Sequence, residues 1–295
     1  MTLYAAIGAV EQGLVFGIMV MGVYLTFRIL DFPDLTVDGS LPLGAAVSAV
    51  AITHGINPFV SVLLATGAGF LAGMVTALLN TKCKILHLLA SILTMIALYS
   101  VNIRIMGGPN IALLGTPTVF DSLTKVGVPA HLSGLVTFGL FACVIAICII
   151  WFLSTELGQA MLATGDNPQM IISLGVNTHS IILLGVGLSN GLVALCGALV
   201  AQNQGAADVG MGIGTIVAGL ASVIIGETLF GAATIFRAFF AAILGSVVYR
   251  LAIAFALSAN IGGFSFNPSD LNLITSLLVV SALIAPNLKR GLIQR

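Results

Sequence analysis

The chain has 295 residues, of which 59% are hydrophobic and 7% are charged, with ten basic and ten acidic side chains. Soluble domains carry roughly a quarter of charged residues, so this composition excludes a soluble domain and indicates a polytopic membrane protein. The balanced charge offers no basic surface, and we expect no nucleic-acid partner. The first residues lack a basic segment followed by a small-residue cleavage site, which predicts a retained first span.

Long apolar runs predict an all-α membrane helix bundle, treated as a single transmembrane domain over 1–295. A helix needs roughly 20 apolar residues to cross a bilayer. The runs predict about nine spans, at 7–27, 41–54, 58–79, 85–106, 131–153, 179–202, 212–226, 232–258 and 271–287. Small residues four apart predict close helix packing, at Gly13/Gly17, Gly69/Gly73 and Gly187/Gly191.

The basic residues predict an orientation for this bundle. Cytosolic ends of membrane helices are enriched in lysine and arginine. A cytosolic C-terminus, NLKRGLIQR, places Arg28, Lys82 and Lys84 on the same side and leaves Lys125 as the exception. We therefore expect an external N-terminus and a cytosolic C-terminus.

Two of the predicted spans, 41–54 and 212–226, are short. At 1.5 Å per residue each reaches only about 20 Å. Helix-breaking residues precede both, and irregular backbone at membrane depth is tolerated where protein surrounds it. Each short span is second in its group of four around the fifth span. This predicts a 4+4 inverted repeat with short broken helices and a substrate path between the halves.

Three acids precede the first short span. The spacing of Asp31, Asp34 and Asp38 would align them on one helix face, but Pro33 and Gly39 break such a helix. We therefore interpret them as solvated acids, with Asp38 or Ser40 capping the short span, in preference to a metal site. The cysteines and histidines have no ligand spacing, and we expect no metal.

Residues 154–178 are the most informative segment. They predict a hairpin of two short helices around the turn Gly165-Asp166-Asn167-Pro168. Glycine closes a helix, asparagine caps the next one, and proline suits its first position. The predicted orientation places this hairpin in the cytosol, where its turn and Leu174 would meet a partner.

Several polar residues lie in or beside apolar runs. Ser40, Asn190 and Thr215 are candidates for a substrate path, although structural hydrogen bonding explains Asn190 equally well. Arg250 is interpreted as snorkelling to the interface or as pairing with Asp208, in preference to binding substrate. Glu227, in a predicted Gly226-Glu227 turn, should face the cytosol, where a partner subunit can contact it.

The chain contains no motif for chemistry of its own. A G-x-x-x-x-G-K-[ST] loop and the common hydrolase motifs are absent. We therefore expect no catalytic residue and no cofactor in this chain. If ATP drives the process, a partner subunit binds ATP and magnesium and hydrolyses the ATP.

The order of these features resembles the permease subunits of bacterial ABC importers, in the branch that includes the branched-chain amino-acid and monosaccharide permeases. The resemblance is carried by the hairpin, by Asp34-Leu35-Thr36-Val37 before the second span, and by LSNGLVALCGALVAQNQGAADVGMGIGTIVAGLASVIIGE. The inserted Asp38 departs from the sugar-permease form. The chain looks most like the branch associated with aromatic and related amino acids.

The resemblance implies two cytosolic ATP-binding subunits, a second permease subunit in a homodimer or heterodimer, and an extracytoplasmic solute-binding protein in a bacterial inner membrane. The expected cargo is a small organic solute, an amino acid first and a sugar or nucleoside next. A secondary transporter with inverted repeats is the alternative. It usually needs titratable groups at the midplane, and the apolar spans provide only Asn190 and a few hydroxyls.

Overall fold

The computed structural model describes residues 3–124, 130–258, 276–277 and 280. The helices are α1 Leu3–Tyr24, α2 Val37–Thr53, α3 Pro58–Thr81, α4 His87–Met106, α5 Val119–Thr124, α6 Ala130–Ser154, α7 Glu156–Asp166, α8 Pro168–Ser173, α9 Thr178–Gln204, α10 Thr215–Phe230 and α11 Ile235–Ser258. A π-helical turn, Leu25–Ile29, extends α1, and a 3-10 turn, Val209–Gly212, precedes α10. The all-α prediction is confirmed.

Seven of the described helical segments are long and apolar enough to cross a membrane. They are Tyr4–Ile29, Pro58–Thr81, His87–Met106, Ser133–Ser154, Thr178–Gln204, Val209–Phe230 and Ile235–Ser258. α2 is a shorter apolar helix of 17 residues. These elements correspond to eight of the about nine predicted spans, and the last, 271–287, falls almost entirely outside the described residues.

The two short spans are longer than predicted. α2 begins at Val37, ahead of the expected start, and contains Pro42. α10 continues to Phe230, and the 3-10 turn before it extends the apolar segment back to Val209. Proline cannot donate an N–H to the carbonyl four residues earlier. The Asp38 carbonyl thus left free lies so close to Gly212 that no side chain would fit at that glycine.

α9 is the central helix of the described bundle, since a larger share of it is buried than of any other long span. α3 packs along α9 as α11 packs along α1, and α2 packs on α3 as α10 packs on α11. These matching contacts are those that the predicted 4+4 repeat requires, because the repeat makes α1, α2 and α3 equivalent to α9, α10 and α11. Its final member would be 271–287.

Glycines allow the closest helix approaches. A side chain at Gly69 would collide with the Asn190 carbonyl, and one at Gly73 would collide with the Val186 carbonyl. Gly13 and Gly17 similarly face Val247 and Ile243 of α11. The close packing predicted from small residues is confirmed.

The two loops at the bundle end opposite α7 and α8 are joined by a short antiparallel sheet. Its strands are β1, Asn110–Ala112, and β2, Ala206–Asp208. The sequence reading missed this element because three-residue strands carry no recognisable alternation of polar and apolar residues.

Candidate functional site

The chain between the π-helical turn and α2 enters the centre of the bundle. Asp34 is only 3% exposed. Its carboxylate accepts hydrogen bonds from the Asn190 side-chain amide at 2.6 Å and from the Thr36 backbone N–H at 2.9 Å. The interpretation of Asp34 as a solvated acid is therefore wrong. Phe32, beside it in sequence, is also buried and draws this segment inward.

Asn190 joins this acid to α2. Its side-chain oxygen accepts a hydrogen bond from Ser40 Oγ at 2.6 Å, and both residues are fully buried. The hydroxyls of Thr36 and Thr76 lie 2.9 Å apart beside them. We call Asp34, Thr36, Ser40, Thr76 and Asn190 the central polar cluster. It attaches the beginning of α2 to α3 and to the middle of the 27-residue α9.

Asp38 connects α2 to α10. Its carboxylate accepts hydrogen bonds from the backbone N–H groups of Gly214 at 3.0 Å and Ile216 at 2.8 Å, and from Thr215 Oγ1 at 3.0 Å. These are the N–H groups that a helix start leaves without partners. Asp38 therefore caps α10, whereas the α2 cap position is Thr36. The prediction that Asp38 or Ser40 caps the second span is wrong.

Two cavities flank this junction of broken helices. The first, of ≈ 330 Å³, lies between α2 and α4 and is lined by Asp38, Tyr99 and Asn102 among others. The second, of ≈ 440 Å³, is lined by Phe16, Thr215 and Arg250 among others, and we call it the α11 cavity.

The three predicted path residues therefore occupy different surroundings. Ser40 and Asn190 bond to each other in the closed interior, whereas Thr215 lines the α11 cavity. All three are linked through the first turn of α2, because Asp38 in that turn holds Thr215. Their role in a substrate path stays a prediction.

Arg250 is placed differently from the sequence interpretation. Its guanidinium lies 3.9 Å from the centre of the Phe16 ring. Asp208 accepts the Gly210 N–H and forms no ion pair with Arg250. The expected Asp208 partner is therefore wrong.

The hairpin 154–178 has the predicted form. α7 ends at Asp166, and α8 starts at Pro168 with Asn167 as its cap. The Asn167 side-chain oxygen accepts the Met170 N–H at 3.1 Å. Gly165 does not close α7 as expected, because the helix continues to Asp166. Gly165 instead lies directly against the Ile29 carbonyl, where no side chain would fit.

The hairpin is fixed to the bundle on one face and open on the other. Met161 and Ile171 are buried. Four apolar side chains are more than half exposed: Leu157, Met170, Ile172 and Leu174. Because this exposure lies on a helical hairpin outside the apolar spans, it leaves an apolar surface for a partner.

Glu227 lies inside α10, so the predicted Gly226-Glu227 turn is wrong. Glu227 Oε1 and Arg28 Nε are 3.0 Å apart in an ion pair between α10 and the π-helical turn after α1. Gly226 packs against the Ala241 carbonyl of α11, which explains a small residue inside the helix. The pair lies at the same end of the bundle as the hairpin, because Arg28 and Asp166 line one cavity.

A second buried polar group, missed by the sequence reading, lies toward the other end of the bundle. The Gln202 amide nitrogen donates to Ser48 Oγ at 3.0 Å and Ser61 Oγ at 3.3 Å, and its oxygen accepts the Val119 N–H at 3.0 Å. The signal was present, since each side chain interrupts an apolar run. The described residues contain no group of acids, histidines or cysteines arranged to hold a metal.

Comparison with known proteins places this architecture in a family context. The model of the family "Branched-chain amino acid transport system / permease component" matches residues 6–284. The tyrosine transport system permease protein of Clostridioides difficile (strain R20291) is 44% identical over 97% of this chain and 92% of its own length.

Two further proteins extend the comparison. Uncharacterized protein RP368 of Rickettsia prowazekii (strain Madrid E) is 34% identical over 94% of this chain and 96% of its own length. A chain of PsaBC from Streptococcus pneumoniae in complex with Fab aligns over 96% of this chain and 91% of its own length, with a TM-score of 0.51 and 14% identity. This last similarity shows the fold alone.

Proposed function

The chain belongs to the family of permease components of the branched-chain amino acid transport system, and we propose that it is the membrane subunit of an ATP-driven importer for an amino acid. As a permease, the chain is a multi-pass transport component and not a catalytic one. The proposed cargo is an aromatic or related amino acid, supported by the 44% identity to a tyrosine transport permease. A sugar or nucleoside is the alternative cargo.

The apolar surface of the hairpin is the observation that best supports coupling to an ATPase. α7 packs on the Ile29 backbone through Gly165, so a push on the hairpin would be transmitted to the end of α1. The free face carries Leu157, Met170 and Leu174. We place one cytosolic ATP-binding subunit against this face of each permease, with the turn Gly165–Pro168 and Glu227 at the contact.

The complete transporter in this proposal contains three kinds of partner besides this chain. A second copy of the permease forms a homodimer, two ATP-binding subunits bind ATP and magnesium, and an extracytoplasmic binding protein delivers the solute. The membrane is the bacterial inner membrane, with the N-terminus outside and the C-terminus in the cytosol. The solute passes near Ser40, Asn190 and Thr215, which lie on α2, α9 and α10.

The test reconstitutes the permease with its ATP-binding subunit and binding protein in proteoliposomes. Leu174→Asp should lower both uptake of labelled L-tyrosine and co-purification of the ATP-binding subunit by about 30-fold, as expected when a buried anchor of an interface is lost. Leu114→Asp is the matched control for co-purification of the ATP-binding subunit, because Leu114 is an exposed leucine in a loop at the opposite end of the bundle. Full coupling in the Leu174 variant would refute the hairpin assignment.

A secondary transporter is the second candidate, favoured by one observation. Asp34 places a buried carboxyl near the middle of α9, which is the kind of group that a proton-coupled carrier uses. The same proteoliposomes decide between the two. Uptake that needs ATP supports the importer, whereas uptake driven by a pH gradient without ATP supports the carrier.

A further inference from the structure

Arg250 is a cation inside a membrane-spanning helix. It lies in α11 one residue after the buried Tyr249, and its guanidinium stacks on Phe16 of α1. A charged side chain within a span is costly and usually faces a partner or a transport pathway. Stacking on an aromatic ring compensates such a charge only in part.

Within the part of the chain that the structure describes, the Arg250 N–H groups have no acceptor. Across residues 3–124 and 130–258 it forms an ion pair with no acid and a hydrogen bond with no side chain or carbonyl. Asp38 and Asp208 bond to other groups, since Asp38 caps α10 and Asp208 accepts the Gly210 N–H. A guanidinium carries five donors. The described residues engage none of the five, so the Arg250 side chain can offer them to an anion.

The α11 cavity gives such an anion a place to bind. It has a volume of ≈ 440 Å³ and lies where α1, α9, α10 and α11 meet. Thr215 and Gln204 supply further polar groups beside Arg250. Arg250 is the only charged residue among the described residues of its lining, so the cavity favours a negatively charged group.

We propose that Arg250 binds the carboxylate of the transported amino acid in the α11 cavity during its passage through the membrane. This inference rests on the proposed function and names the cargo group that the permease itself recognises. The planar guanidinium matches a carboxylate with two parallel hydrogen bonds. The described residues of the cavity lining include no acid for the solute's ammonium group, so only one of the two charges is held there and the solute can leave.

The first experiment measures uptake of labelled L-tyrosine by the complete complex in proteoliposomes. Arg250→Gln should lower the maximal uptake rate about tenfold or more, as expected for loss of a charge-assisted hydrogen bond. The ATPase activity stimulated by the loaded binding protein should change less than about twofold, because the hairpin is unaltered. Arg250→Lys should retain an intermediate rate, since a lysine keeps the charge but loses the planar pairing.

Arg237→Gln is the matched control, because Arg237 lies in the first turn of the same helix and is exposed. It should transport at the unmodified rate. Uptake by Arg250→Gln equal to that of the unmodified complex would refute the carboxylate site and leave the proposed function intact. Absence of uptake by the unmodified complex would refute both.

A chemical rescue covers the case in which Arg250→Gln fails to fold. Arg250→Cys is made in a chain whose four native cysteines are replaced by alanine and is labelled in the proteoliposomes. A reagent that adds an ethylammonium group should restore at least about a third of the uptake, because it returns a donor to the cavity, whereas a methyl reagent should restore none. Equal recovery with the two reagents would refute a role for the charge.

A lipid phosphate is the other source of an anion for this cavity. Native mass spectrometry of the purified complex distinguishes it from the solute. Loss of a bound phospholipid in Arg250→Gln, with unchanged uptake, would assign the cavity to lipid and overturn the proposal. An unchanged lipid content together with reduced uptake supports the solute carboxylate.

Discussion

The central polar cluster and the hairpin place polar and apolar groups in opposite ways. In the cluster, Asp34, Ser40 and Asn190 are buried and bond to one another. In the hairpin, apolar side chains such as Leu174 are exposed. A membrane interior provides no water for unpaired polar groups, and water provides no partner for apolar ones. The cluster therefore satisfies its polar groups within the chain, whereas the hairpin leaves apolar side chains exposed, on the surface where we propose that an ATP-binding subunit docks.

The difference predicts that substitutions in the centre change the stability of the permease, whereas substitutions at the hairpin end mainly change its contacts. The predictions below test this contrast. They run from the largest expected loss of unfolding free energy to the smallest.

Gly69→Val should have the largest effect. The added side chain would collide with Ala194 and the Asn190 carbonyl, and neither backbone can move without separating α3 from α9. We expect a loss of about 3 kcal/mol or more in the free energy of unfolding. Thermal unfolding of the purified permease in detergent measures the loss.

The control for this prediction is Gly67→Val on the same helix. A side chain at Gly67 would meet nothing within 4 Å. The valine should therefore change the free energy of unfolding by less than about 1 kcal/mol, because valine and glycine differ by only a few tenths of a kcal/mol in helix propensity, with valine the more favourable. Equal losses at the two positions would contradict the close contact between α3 and α9.

Asn190→Ala should have the second largest effect. It removes a donor from the Asp34 carboxylate and an acceptor from the Ser40 hydroxyl, and both groups stay buried. Each buried group left without a partner costs about 1–3 kcal/mol. We expect a loss of about 2 kcal/mol or more by the same thermal unfolding measurement.

Ser189→Ala is the control for Asn190→Ala. Ser189 is equally buried on α9, but its hydroxyl donates to a single carbonyl, that of Gly22. The loss in the free energy of unfolding of Ser189→Ala should be about 1 kcal/mol, since one net hydrogen bond disappears. A larger loss of unfolding free energy for Ser189→Ala than for Asn190→Ala would show that the central polar cluster does not stabilise the centre of the bundle.

The helices and the hairpin could be predicted from the sequence because their signals are local. Long apolar runs identified the spans, and the Asn167-Pro168 pair identified the start of α8. The ends of the broken helices were harder to predict from the sequence. Asp38 caps a helix more than 170 residues away in sequence, and no local pattern reveals such a partner.

The candidate site was predicted in part for the same reason. Asn190 and Ser40 stood out as polar residues in or beside apolar runs, and they form a hydrogen bond. Asp34 was misread because Pro33 before it suggests an exposed turn, whereas buried Phe32 draws the turn into the bundle. Arg250 was misread because its distance from Asp208 depends on how α11 and the loop after α9 pack. Tertiary packing therefore decided each missed assignment.

At the hairpin end, Asn167→Ala should weaken only α8. The substitution removes the acceptor of the Met170 N–H, and loss of a helix cap costs about 1 kcal/mol. We expect faster hydrogen exchange at the amides of α8 and an unchanged melting temperature for the bundle. Gln159 provides a control, because Gln159→Ala removes a bond to the Leu153 carbonyl outside α8 and should leave exchange in α8 unchanged.

Neutralising the ion pair at the hairpin end should have the smallest effect. Arg28 and Glu227 lie 3.0 Å apart, but the arginine side chain is 57% exposed. Exposed pairs contribute about 0–1 kcal/mol because water screens the attraction and ordering long side chains costs entropy. Arg28→Gln, Glu227→Gln and the double variant should therefore give a coupling energy below about 1 kcal/mol in a double-mutant cycle of thermal unfolding. A coupling energy as large as the loss in Asn190→Ala would contradict the contrast, because the hairpin end would then stabilise the bundle as strongly as its buried centre does.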